Sequence, residues 1–493
     1  MNTSKTSIEY ISNKLMLAWK DKNTTLEWRR INMRTVEHLI GAEFIHDLYN
    51  QHAFKINSFR FRNTVTVWKN GIVNSYAPQA EWDEIGEKIS EKFLREDKEL
   101  IFELENLYSL KRKFADTYIK KFFKKDLHNL SNVELATAFE KLYYFTLGDF
   151  YRLNFVQVEH GLTVAIKKKL KEVGQNPDNI SKLIVSKKPT EFQKEEILLR
   201  NIAKIRNQNK RQALLTRHYE KYAFMHSAYG ERPYPFSYYE EKTKQQNFAK
   251  DDIEEQIKKE AKKALVLLRS IKCSQLERLV YLMIRGGEFR DSNKARLGFS
   301  MSLRFKFLEE IAKRTGVERD DLNFYSLNDL GRLLRDGLSV SKSLLSKRKE
   351  EGVVLARVED IDVLSKEGLS ERFFEIQEDS FSEERCEALR GMCASPGSVE
   401  GTARIVFSYE DGEKVEPGDI MVAIGTDFDL MDAIQKSAAV ITEEGGLLSH
   451  ASVVCRELKK PCCIGVEHAT SIIKDGQKIC LDAEKGEILL KDE

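Results

Sequence analysis

Long apolar runs, prolines and cysteines are all scarce in this 493-residue sequence. No stretch approaches the ~20 consecutive apolar residues that a membrane-spanning helix needs, and the N-terminus lacks the apolar core of a signal peptide. The seven cysteines include no CxxC pair, and no histidines accompany them at zinc-ligand spacing, so we expect reduced thiols and no metal site. These absences argue against a membrane protein and a disulfide-rich secreted protein, and they predict a cytoplasmic one.

Proline is distributed unevenly, and its distribution divides the chain. Only eight prolines occur, and none lies within residues 79–176 or 236–395. Proline-free stretches rich in Leu, Lys, Glu and Arg are typical of helices. Residues 391–493, in contrast, hold 11 of the 26 glycines and 3 of the eight prolines, as expected of short elements joined by turns. The sequence therefore predicts a mostly helical body over residues 1–365, a charged linker over 366–390 and a separate C-terminal domain over 391–493.

Two segments of the N-terminal body carry specific local signals. Ser131 is followed three residues later by Glu134, which predicts a capping box at the start of a helix. In FRFRNTVTVWKNGIVNSYA (59–77), apolar residues alternate on both sides of Asn70-Gly71. This pattern predicts a β-hairpin, because both turn residues tolerate positive φ. We therefore expect a small β element near residues 54–76.

The C-terminal segment has the pattern of a compact α/β domain. Five β-rich runs (GTARIVFS, GDIMVAI, AAVIT, PCCIGV and KICLDAEKGEILL) alternate with two helix-like stretches, DFDLMDAIQKS and SHASVVCRELKK. The predicted fold class of the whole chain is thus multidomain α+β, ending in an α/β domain. Charge follows the same division. Residues 391–493 contain 10 basic and 19 acidic residues, a net charge of −9, whereas residues 1–390 contain 70 and 59, a net charge of +11.

A histidine follows a glycine pair between a predicted strand and a predicted helix. In ITEEGGLLSHASVV the strand ends, Gly445 and Gly446 permit a tight turn, and His450 falls in the first helical turn. Unsatisfied N–H groups and the positive end of the helix dipole favour an anion there. A neutral imidazole in this position can attack phosphorus and carry the phosphoryl group as a phosphoramidate. For the short GGxxSH pattern taken alone, a plain glycine turn with a surface or capping histidine is the favoured interpretation.

Four longer motifs occur in order along the C-terminal segment. They are ASPGSVEGTARIV (394–406), PGDIMVAIGTDFDLM (417–431), AAVITEEGGLLSHASVVCRELKKPCCIG (438–465) and DGQKICLDAEKGEI (475–488). With these motifs, residues 391–493 resemble the phosphohistidine swivelling, or mobile, domain of the phosphoenolpyruvate (PEP) synthase, pyruvate phosphate dikinase and rifampicin phosphotransferase group. The resemblance implies that His450 is the phosphoryl carrier. The residues expected to surround or support the phosphoryl group are Thr442, Glu444, Gly445, Gly446, Ser449 and Arg456.

Complete enzymes of this group also contain an ATP-grasp module and a site that receives the phosphoryl group. No ATP-grasp sequence is evident here, and only five residues follow Ile488, so we expect no TIM barrel of the kind found in the pyruvate enzymes. The order of a helical body followed by the histidine domain is similar to that of rifampicin phosphotransferase, and residues 222–241 and 282–330 partly resemble its helical domain. The resemblance implies no tightly bound cofactor, with ATP and Mg²⁺ held by a separate ATP-grasp protein.

Charged residues crowd one helix-like segment of the body. Arginines in such a cluster can bind phosphate through two hydrogen bonds, whereas the alternative is a solvated face with i,i+4 pairs. The candidates for an acceptor or phosphate clamp are Arg285, Glu288, Arg290, Lys294 and Arg296. Residues 111–129 are basic with interleaved aromatics, which is compatible with nucleic-acid binding. The helical spacing of these aromatics favours a buried stripe with a basic outer face instead.

The sequence therefore predicts a phosphotransferase component. In this interpretation a separate ATP-grasp protein phosphorylates His450, which passes the phosphoryl group to a small-molecule acceptor bound by the helical body. The alternative is a non-catalytic regulatory or scaffold protein that retains the domain for binding. The presence of the histidine and its glycine turn favours the enzyme. Neither interpretation involves a membrane or nucleic acid.

Overall fold

The computed structural model describes residues 28–35, 39–50, 61, 63–69, 72–109, 126–151, 155–226, 235–244, 253–358, 361–364, 388–407, 409–426, 430–447 and 449–491. Its helices are α1 (Leu39–Asn50), α2 (Gln79–Leu94), α3 (Lys98–Ser109), α4 (Asn132–Tyr151), α5 (Phe155–Glu172), α6 (Ile180–Leu183), α7 (Glu191–Ala203), α8 (Gln208–Tyr222), α9 (Phe236–Lys242), α10 (Ile253–Ser270), α11 (Ser274–Thr315), α12 (Leu327–Asp336), α13 (Lys342–Glu351), α14 (Tyr409–Gly412), α15 (Met431–Lys436), α16 (His450–Leu458) and α17 (Ala469–Ile472). Its strands are β1 (Trp28–Thr35), β2 (Asn63–Lys69), β3 (Ile72–Pro78), β4 (Val353–Val358), β5 (Ile361–Leu364), β6 (Ala388–Arg390), β7 (Met392–Ser395), β8 (Ser398–Val406), β9 (Ile420–Ala423), β10 (Ala439–Thr442), β11 (Cys462–Ile464), β12 (Lys478–Asp482) and β13 (Glu487–Leu490).

The chain divides into two compact units, and each is assembled from three separate stretches. The first unit contains Met1–Gly161, Lys221–Pro235 and Ser292–Glu383, and the second contains Leu162–Glu220, Phe236–Asp291 and Glu384–Glu493. The second unit therefore includes helices from the middle of the chain as well as its C-terminal segment. The domain boundaries at residues 365 and 391 stay a sequence-based prediction.

A five-stranded antiparallel sheet forms the β part of the first unit, with strand order β1-β3-β2-β4-β5. Strands β2 and β3 pair from Val65↔Tyr76 to Lys69↔Ile72, which confirms the predicted hairpin strands. The turn residues 70 and 71 lie outside the described residues. The sequence patterns missed the other three strands, of which β4 pairs with β2 across a long separation in sequence.

Helix α1 packs on this sheet within the first unit, and helices α4 and α12 extend the packing from α1. Helix α1 packs against β2 and β4, and α4 packs against both α1 and α12. The backbone N–H of Glu134 donates to the Ser131 hydroxyl at 3.3 Å, and the Glu134 carboxylate accepts the N–H of Ser131 at 2.8 Å. The predicted capping box at the start of α4 is therefore confirmed.

An eight-stranded mixed sheet forms the β part of the second unit, in the order β6-β13-β12-β8-β9-β10-β11-β7. The central strands β8, β9, β10 and β11 are parallel to one another, and the outer strands pair antiparallel. All five β-rich runs predicted in the C-terminal segment contain strands. The short edge strands β6 and β7 were missed, and β6 occupies the last three residues of the predicted linker. The remainder of that linker, residues 366–387, lies outside the described residues.

The parallel strands β9, β10 and β11 are buried along their whole length. Ile420, Val422, Ala439 and Ile441 are fully buried in one apolar cluster, as expected of parallel strands that are covered on both faces. Strands β9 and β10 end side by side, with Ala423 opposite Thr442. Loops after the carboxyl ends of adjacent parallel strands form the usual ligand crevice of an open α/β sheet.

The helical part of the second unit adjoins this sheet. Helix α10 contacts α6 and α7, α6 contacts β7, and α16 packs against β7, β10 and β11. Within the residues described above, none of the helices combines the length and apolar character required to cross a membrane.

Candidate functional site

The loops after β9 and β10 are joined by backbone hydrogen bonds. The N–H of Glu443 donates to the carbonyl of Ala423 at 3.0 Å, and the N–H of Glu444 donates to the carbonyl of Ile424 at 2.6 Å. The hydroxyl of the buried Thr442 donates to the carbonyl of Glu444 at 2.8 Å. The chain is thus fixed immediately before the glycine pair.

The turn itself needs glycine at position 445. Gly445 has a φ of +128°, and a Cβ atom there would lie 2.8 Å from the Ser449 hydroxyl, closer than non-bonded atoms approach. The carbonyl of Gly446 accepts the N–H of Ser449 at 2.9 Å and the hydroxyl of Ser452 at 2.8 Å. The glycine pair therefore closes the turn onto the start of α16.

Helix α16 begins where the sequence predicts it. Ser449 is the N-cap, and its hydroxyl accepts the N–H of Ser452 at 3.4 Å. His450 is the first residue of the helix. Since the first turn of a helix presents N–H groups without intrahelical acceptors, His450 stands at an end of α16 that favours anions.

Thr426 and Phe192 lie beside the imidazole of His450, whose side chain is partly buried. The Thr426 hydroxyl, in the loop after β9, lies 3.1 Å from His450 Nδ1. The Phe192 ring, at the start of α7, is 6.4 Å from the imidazole between ring centroids at an interplanar angle of 65°. When Nδ1 carries the proton and donates to Thr426, the lone pair of the imidazole lies on Nε2.

Arg456 stabilises the loop that precedes the histidine. Its Nη2 donates to the carbonyl of Leu447 at 2.7 Å, so the guanidinium ties the second turn of α16 back to the glycine turn. The Arg456 side chain also lines a cavity.

A cavity of about 520 Å³ adjoins α16 within the second unit. Its walls come from α6, α7, α10 and α11, from the turn after β7, and from Val453, Arg456 and Lys459 at α16. Glu191 and Gln193, the neighbours of Phe192 in sequence, also line it. The volume is in the range of small-molecule sites.

Three of the five residues of the predicted clamp, Arg285, Glu288 and Arg290, have described side chains. Glu288 lines the cavity and accepts hydrogen bonds from Ser186 and Lys188, each at 2.9 Å. Arg290 points about 200° around α11 from Glu288, because successive helical residues turn by about 100°, and Arg285 is not among the residues that line the cavity. The side chains of Lys294 and Arg296 lie outside what the structure describes. The phosphate-clamp role of these residues stays a prediction.

The cysteines of the C-terminal segment pack as apolar side chains. Cys455, Cys462 and Cys463 are buried. Burial, with a smaller effect from Cys393, raises the pKa of the Cys463 thiol to about 12, so this thiol stays protonated at neutral pH. In the described part of the chain, no three His, Cys, Asp or Glu residues are arranged to hold a metal ion.

Comparison with protein families assigns the segment that contains this turn. Residues 415–486 match the family described as PEP-utilising enzyme, mobile domain. The matched segment includes β9, β10, the glycine turn and His450. Residues 415–486 are a PEP-utilising enzyme mobile domain. We refer to this segment below as the mobile domain.

The relatives of the chain carry related names. It is 43% identical over 98 residues to a probable phosphoenolpyruvate synthase of Archaeoglobus fulgidus, covering 20% of this chain and 13% of the relative. It is 34% identical over 139 residues to the phosphoenolpyruvate synthase of Pyrococcus furiosus, covering 28% and 16%. It is 30% identical over 173 residues to the rifampicin phosphotransferase of Bacillus subtilis, covering 35% and 19%. The chain thus spans less than a fifth of the length of each of these three relatives.

Thr426 and Phe192, which lie beside the histidine, were not predicted from the sequence. Thr426 lies in a motif that the resemblance used, three residues after β9 ends, so its position after a parallel strand was an available signal. Phe192 lies more than 250 residues before His450, and no local pattern brings the two rings together. Only the tertiary structure identifies Phe192.

Proposed function

We propose that the protein is a phosphotransferase component in which His450 transiently carries a phosphoryl group. One observation supports this most directly: His450 opens α16 at the carboxyl edge of the parallel strands, with Nδ1 3.1 Å from the Thr426 hydroxyl. This geometry orients an imidazole at an anion-favouring helix end. The names of the relatives, phosphoenolpyruvate synthase and rifampicin phosphotransferase, support the same class of reaction.

In the first step, His450 becomes phosphorylated. Nδ1–H donates to Thr426, and the lone pair of Nε2 attacks the phosphorus of the donor. The bond between phosphorus and the leaving oxygen breaks, and the leaving group departs with that electron pair. The backbone N–H groups in the first turn of α16 stabilise the negative charge of the phosphoryl group once it is bound to His450.

In the second step, the phosphoryl group moves to an acceptor. A hydroxyl or carboxylate oxygen of a small molecule attacks phosphorus, the N–P bond breaks, and its electron pair returns to Nε2. The proton of a hydroxyl acceptor passes to solvent, and a carboxylate has none to lose. The helical part of the second unit would bind this acceptor, because α7 brings Phe192 to the imidazole.

The donor in this proposal is a separate ATP-grasp protein that holds ATP and Mg²⁺. The support is the resemblance of the C-terminal segment to enzymes in which an ATP-grasp module phosphorylates the histidine. The mobile domain would alternate between that protein and the acceptor site.

The histidine chemistry is testable without the partner. The purified protein is incubated with phosphoramidate, a small donor that transfers PO₃ to imidazoles, and the acid-labile, base-stable phosphohistidine is located by peptide mass spectrometry. We expect His450 to be phosphorylated fastest among the nine histidines, and His450→Ala to lose this product. His468→Asn is the matched control, because His468 stands at the N-cap of another helix of the mobile domain and asparagine tolerates its positive φ.

A second measurement tests the transfer itself. The protein is mixed with a candidate ATP-grasp protein and ATP labelled at the β- or γ-phosphate. Label on the wild type that is absent from His450→Ala supports the carrier role. If phosphoramidate and the ATP-grasp protein both label other histidines as fast as His450, the proposal is wrong, and the regulatory or scaffold alternative replaces it.

A further inference from the structure

We infer that Phe192 is a specificity-determining residue that protects phosphorylated His450 from water, so that the phosphoryl group passes to the acceptor and not to a water molecule. The inference rests on the proposed function, in which His450 carries the phosphoryl group. It adds a role for a side chain of the helical part. In this role Phe192 covers one side of the imidazole and takes no part in making or breaking bonds.

Water competes with the acceptor for the phosphoryl group of a phosphohistidine. A water oxygen can attack the phosphorus as the acceptor oxygen does; the N–P bond breaks, its electron pair returns to Nε2, a proton of the water passes to solvent, and inorganic phosphate leaves. His450 is only partly buried, so solvent lies close to the ring. A site that holds such an intermediate therefore needs groups that exclude water from it.

The ring of Phe192 is placed to exclude water from the imidazole of His450. The two ring centroids are 6.4 Å apart, at an interplanar angle of 65°. Tilted aromatic rings form favourable pairs when their centroids are about 4.5–7 Å apart. The side of the imidazole that faces Phe192 is therefore covered by hydrocarbon instead of water.

The first turn of α7 fixes the backbone of Phe192. The N–H of Thr190 donates to the side-chain oxygen of Gln193 at 2.7 Å, and the N–H of Gln193 donates to the Thr190 hydroxyl at 3.2 Å. These two hydrogen bonds form a capping box with Thr190 as the N-cap, and Phe192 lies inside it. The capping box thus sets the direction in which the ring leaves the helix.

Helix α11 anchors the same segment from outside α7. The Asp291 carboxylate accepts the N–H of Glu191 at 2.7 Å, and the Glu288 carboxylate accepts the ammonium group of Lys188 at 2.9 Å. Asp291 and Glu288 are three residues apart on α11, and residues at this spacing share one face of a helix. One face of α11 therefore holds the chain on the N-terminal side of Phe192.

The mobile domain holds the imidazole in a comparable way. The Thr426 hydroxyl lies 3.1 Å from Nδ1 of His450. Six residues after Thr426, Asp432 lies 3.8 Å from the ammonium group of Lys242 on α9. The loop beside the histidine is thus joined to the helical part of the second unit, and the two rings face each other from fixed supports.

The cover depends on the arrangement of the mobile domain and α7. Because Phe192 belongs to α7 and His450 to the mobile domain, the ring covers the imidazole only while the two lie together. In the proposed cycle this is the stage at which the helical part binds the acceptor. Movement of the mobile domain towards the ATP-grasp protein would remove the cover and open the imidazole to the donor.

The first test measures the lifetime of the phosphohistidine. The protein is phosphorylated with phosphoramidate, the reagent is removed by gel filtration, and the loss of phosphate from His450 at neutral pH is followed by peptide mass spectrometry. We expect Phe192→Ala and Phe192→Gln to lose phosphate about fivefold faster than the wild type, because both admit water. Phe192→Leu keeps an apolar cover and should stay within about twofold of the wild type.

The second test measures access to the imidazole without any phosphoryl transfer. Diethyl pyrocarbonate acylates neutral imidazole, and its rate of reaction is measured at His450 and, within the same mobile domain, at His468. Phe192→Ala and Phe192→Gln should raise the rate at His450 about fivefold and leave the rate at His468 unchanged. A substitution that only loosens the mobile domain would raise both rates.

Leu198→Ala is the matched control for loss of an apolar side chain from the same helix. Leu198 is 41% exposed and follows Phe192 by six residues, about 9 Å along α7. This variant should match the wild type in both measurements. Circular dichroism and thermal melting establish that each variant folds, and Phe192→Gln, which retains the bulk of the side chain, replaces Phe192→Ala if the smaller side chain prevents folding.

Three results would overturn the inference. They are equal phosphohistidine lifetimes in the wild type and a folded Phe192→Gln variant, a Phe192→Leu lifetime as short as that of Phe192→Gln, and equal acceleration of acylation at His468. Equal lifetimes leave the proposed function intact, because His450 is still phosphorylated. Absence of phosphohistidine from the wild type contradicts the proposed function, and the protective role of Phe192 with it.

Discussion

The sheets of the two units differ in strand direction, and strand direction determines whether the loops after neighbouring strands meet at one edge of the sheet. In the first unit all five strands are antiparallel, so consecutive strands end at opposite edges. In the second unit β8 to β11 are parallel, and β9 and β10 end together. Thr426 and His450 follow those two ends and meet at 3.1 Å. The parallel arrangement collects loops from different parts of the chain at one edge.

Polar groups also act differently in the two units. In the first unit, Arg348 donates to the Asp329 carboxylate at 2.7 Å, and Arg335 donates to Glu140 at 2.7 Å. These pairs join helices and elements of the scaffold. In the second unit, hydroxyls and carbonyls around Ser449 and Gly446 form a turn that positions an imidazole. We therefore expect equivalent substitutions to change stability in the first unit and phosphorylation in the second.

The largest expected effects come from two glycines with positive φ, one in each unit. In Gly352→Ala the new Cβ would lie 2.5 Å from the carbonyl oxygen of Trp68, at a φ of +78°, so we expect a loss of about 2–4 kcal/mol of unfolding free energy. In Gly445→Ala the Cβ meets Ser449, and we expect a loss of about 1–3 kcal/mol. Chemical denaturation measures both.

The rate at which phosphoramidate phosphorylates His450 should differ between the same two variants. Gly445→Ala displaces the N-cap of α16, so its rate of His450 phosphorylation should fall at least tenfold. Gly352→Ala should match the wild type under conditions in which it is folded. If both variants phosphorylate at the wild-type rate, the glycine turn does not position the histidine.

A smaller effect on phosphorylation is expected from Thr426. Thr426→Val removes the hydroxyl beside Nδ1, and the loss of one hydrogen bond of about 1–1.5 kcal/mol corresponds to a rate lower by about tenfold. The reduction should appear in the rate at saturating phosphoramidate, not in the concentration needed for saturation, because Thr426 contacts the imidazole and not the donor. Thr426→Ser keeps the hydroxyl and should restore most of the rate. If Thr426→Val and Thr426→Ser are equally slow, packing of the threonine methyl group accounts for the effect and the hydroxyl does not.

Local elements of the fold were predictable because their signals are local. The capping box at Ser131, the hairpin strands around residues 63–78 and the start of α16 each depend on residues a few positions apart. Strands β4 and β6 were missed because short edge strands and strands completed by distant partners carry little pattern of their own. The five-stranded sheet joins residues 63–69 to residues 353–358, and only tertiary packing determines that pairing.

The site was predictable to the same extent. Gly445, Gly446, Ser449 and His450 are close in sequence, and one turn holds them. Phe192 and the cavity walls come from helices far away in the chain, so their approach to the mobile domain follows from burial of apolar surface that no motif encodes. The clamp predicted on α11 shows the limit, because residues that are close in sequence spread around a helix. Of its members whose side chains are described, Glu288 lines the cavity and Arg285 and Arg290 do not.

A pH-dependent effect of intermediate size is expected in the first unit at Asp329. Its partial burial alone would raise the pKa, but the hydrogen bonds from Arg348 and Ser326 outweigh burial and lower it. A carboxylate whose pKa is lowered by folding stabilises the fold above its unfolded pKa of about 3.9, and this stabilisation is lost as pH falls through the folded pKa. Asp329→Asn should lower the unfolding free energy by about 1–2 kcal/mol at pH 7.

Denaturation at a series of pH values checks this difference. The curves of wild type and Asp329→Asn should converge as the pH falls below about 4. Phosphorylation of His450 should be the same in both proteins at pH 7. A constant difference at all pH values would show that shape, and not charge, accounts for the loss.

The smallest effect is expected in the second unit, where the buried Lys242 of α9 lies 3.8 Å from Asp432 of the mobile domain. Burial alone would lower the pKa of Lys242, but Tyr238, whose hydroxyl accepts from Nζ at 2.9 Å, and Asp432 outweigh it and raise the pKa. Because the Asp432 side chain is 43% exposed, solvent screens the pair, and Asp432→Asn should reduce stability by about 0.5 kcal/mol. This loss should be constant through neutral pH and shrink above the unfolded lysine pKa of about 10.4, since a base with a raised pKa loses its stabilising charge only on the alkaline side.

Asp411→Asn is the matched control, because Asp411 pairs with Lys414 inside the mobile domain. If Asp432→Asn and Asp411→Asn lose equal stability with the same dependence on pH, the contact with Lys242 contributes nothing specific.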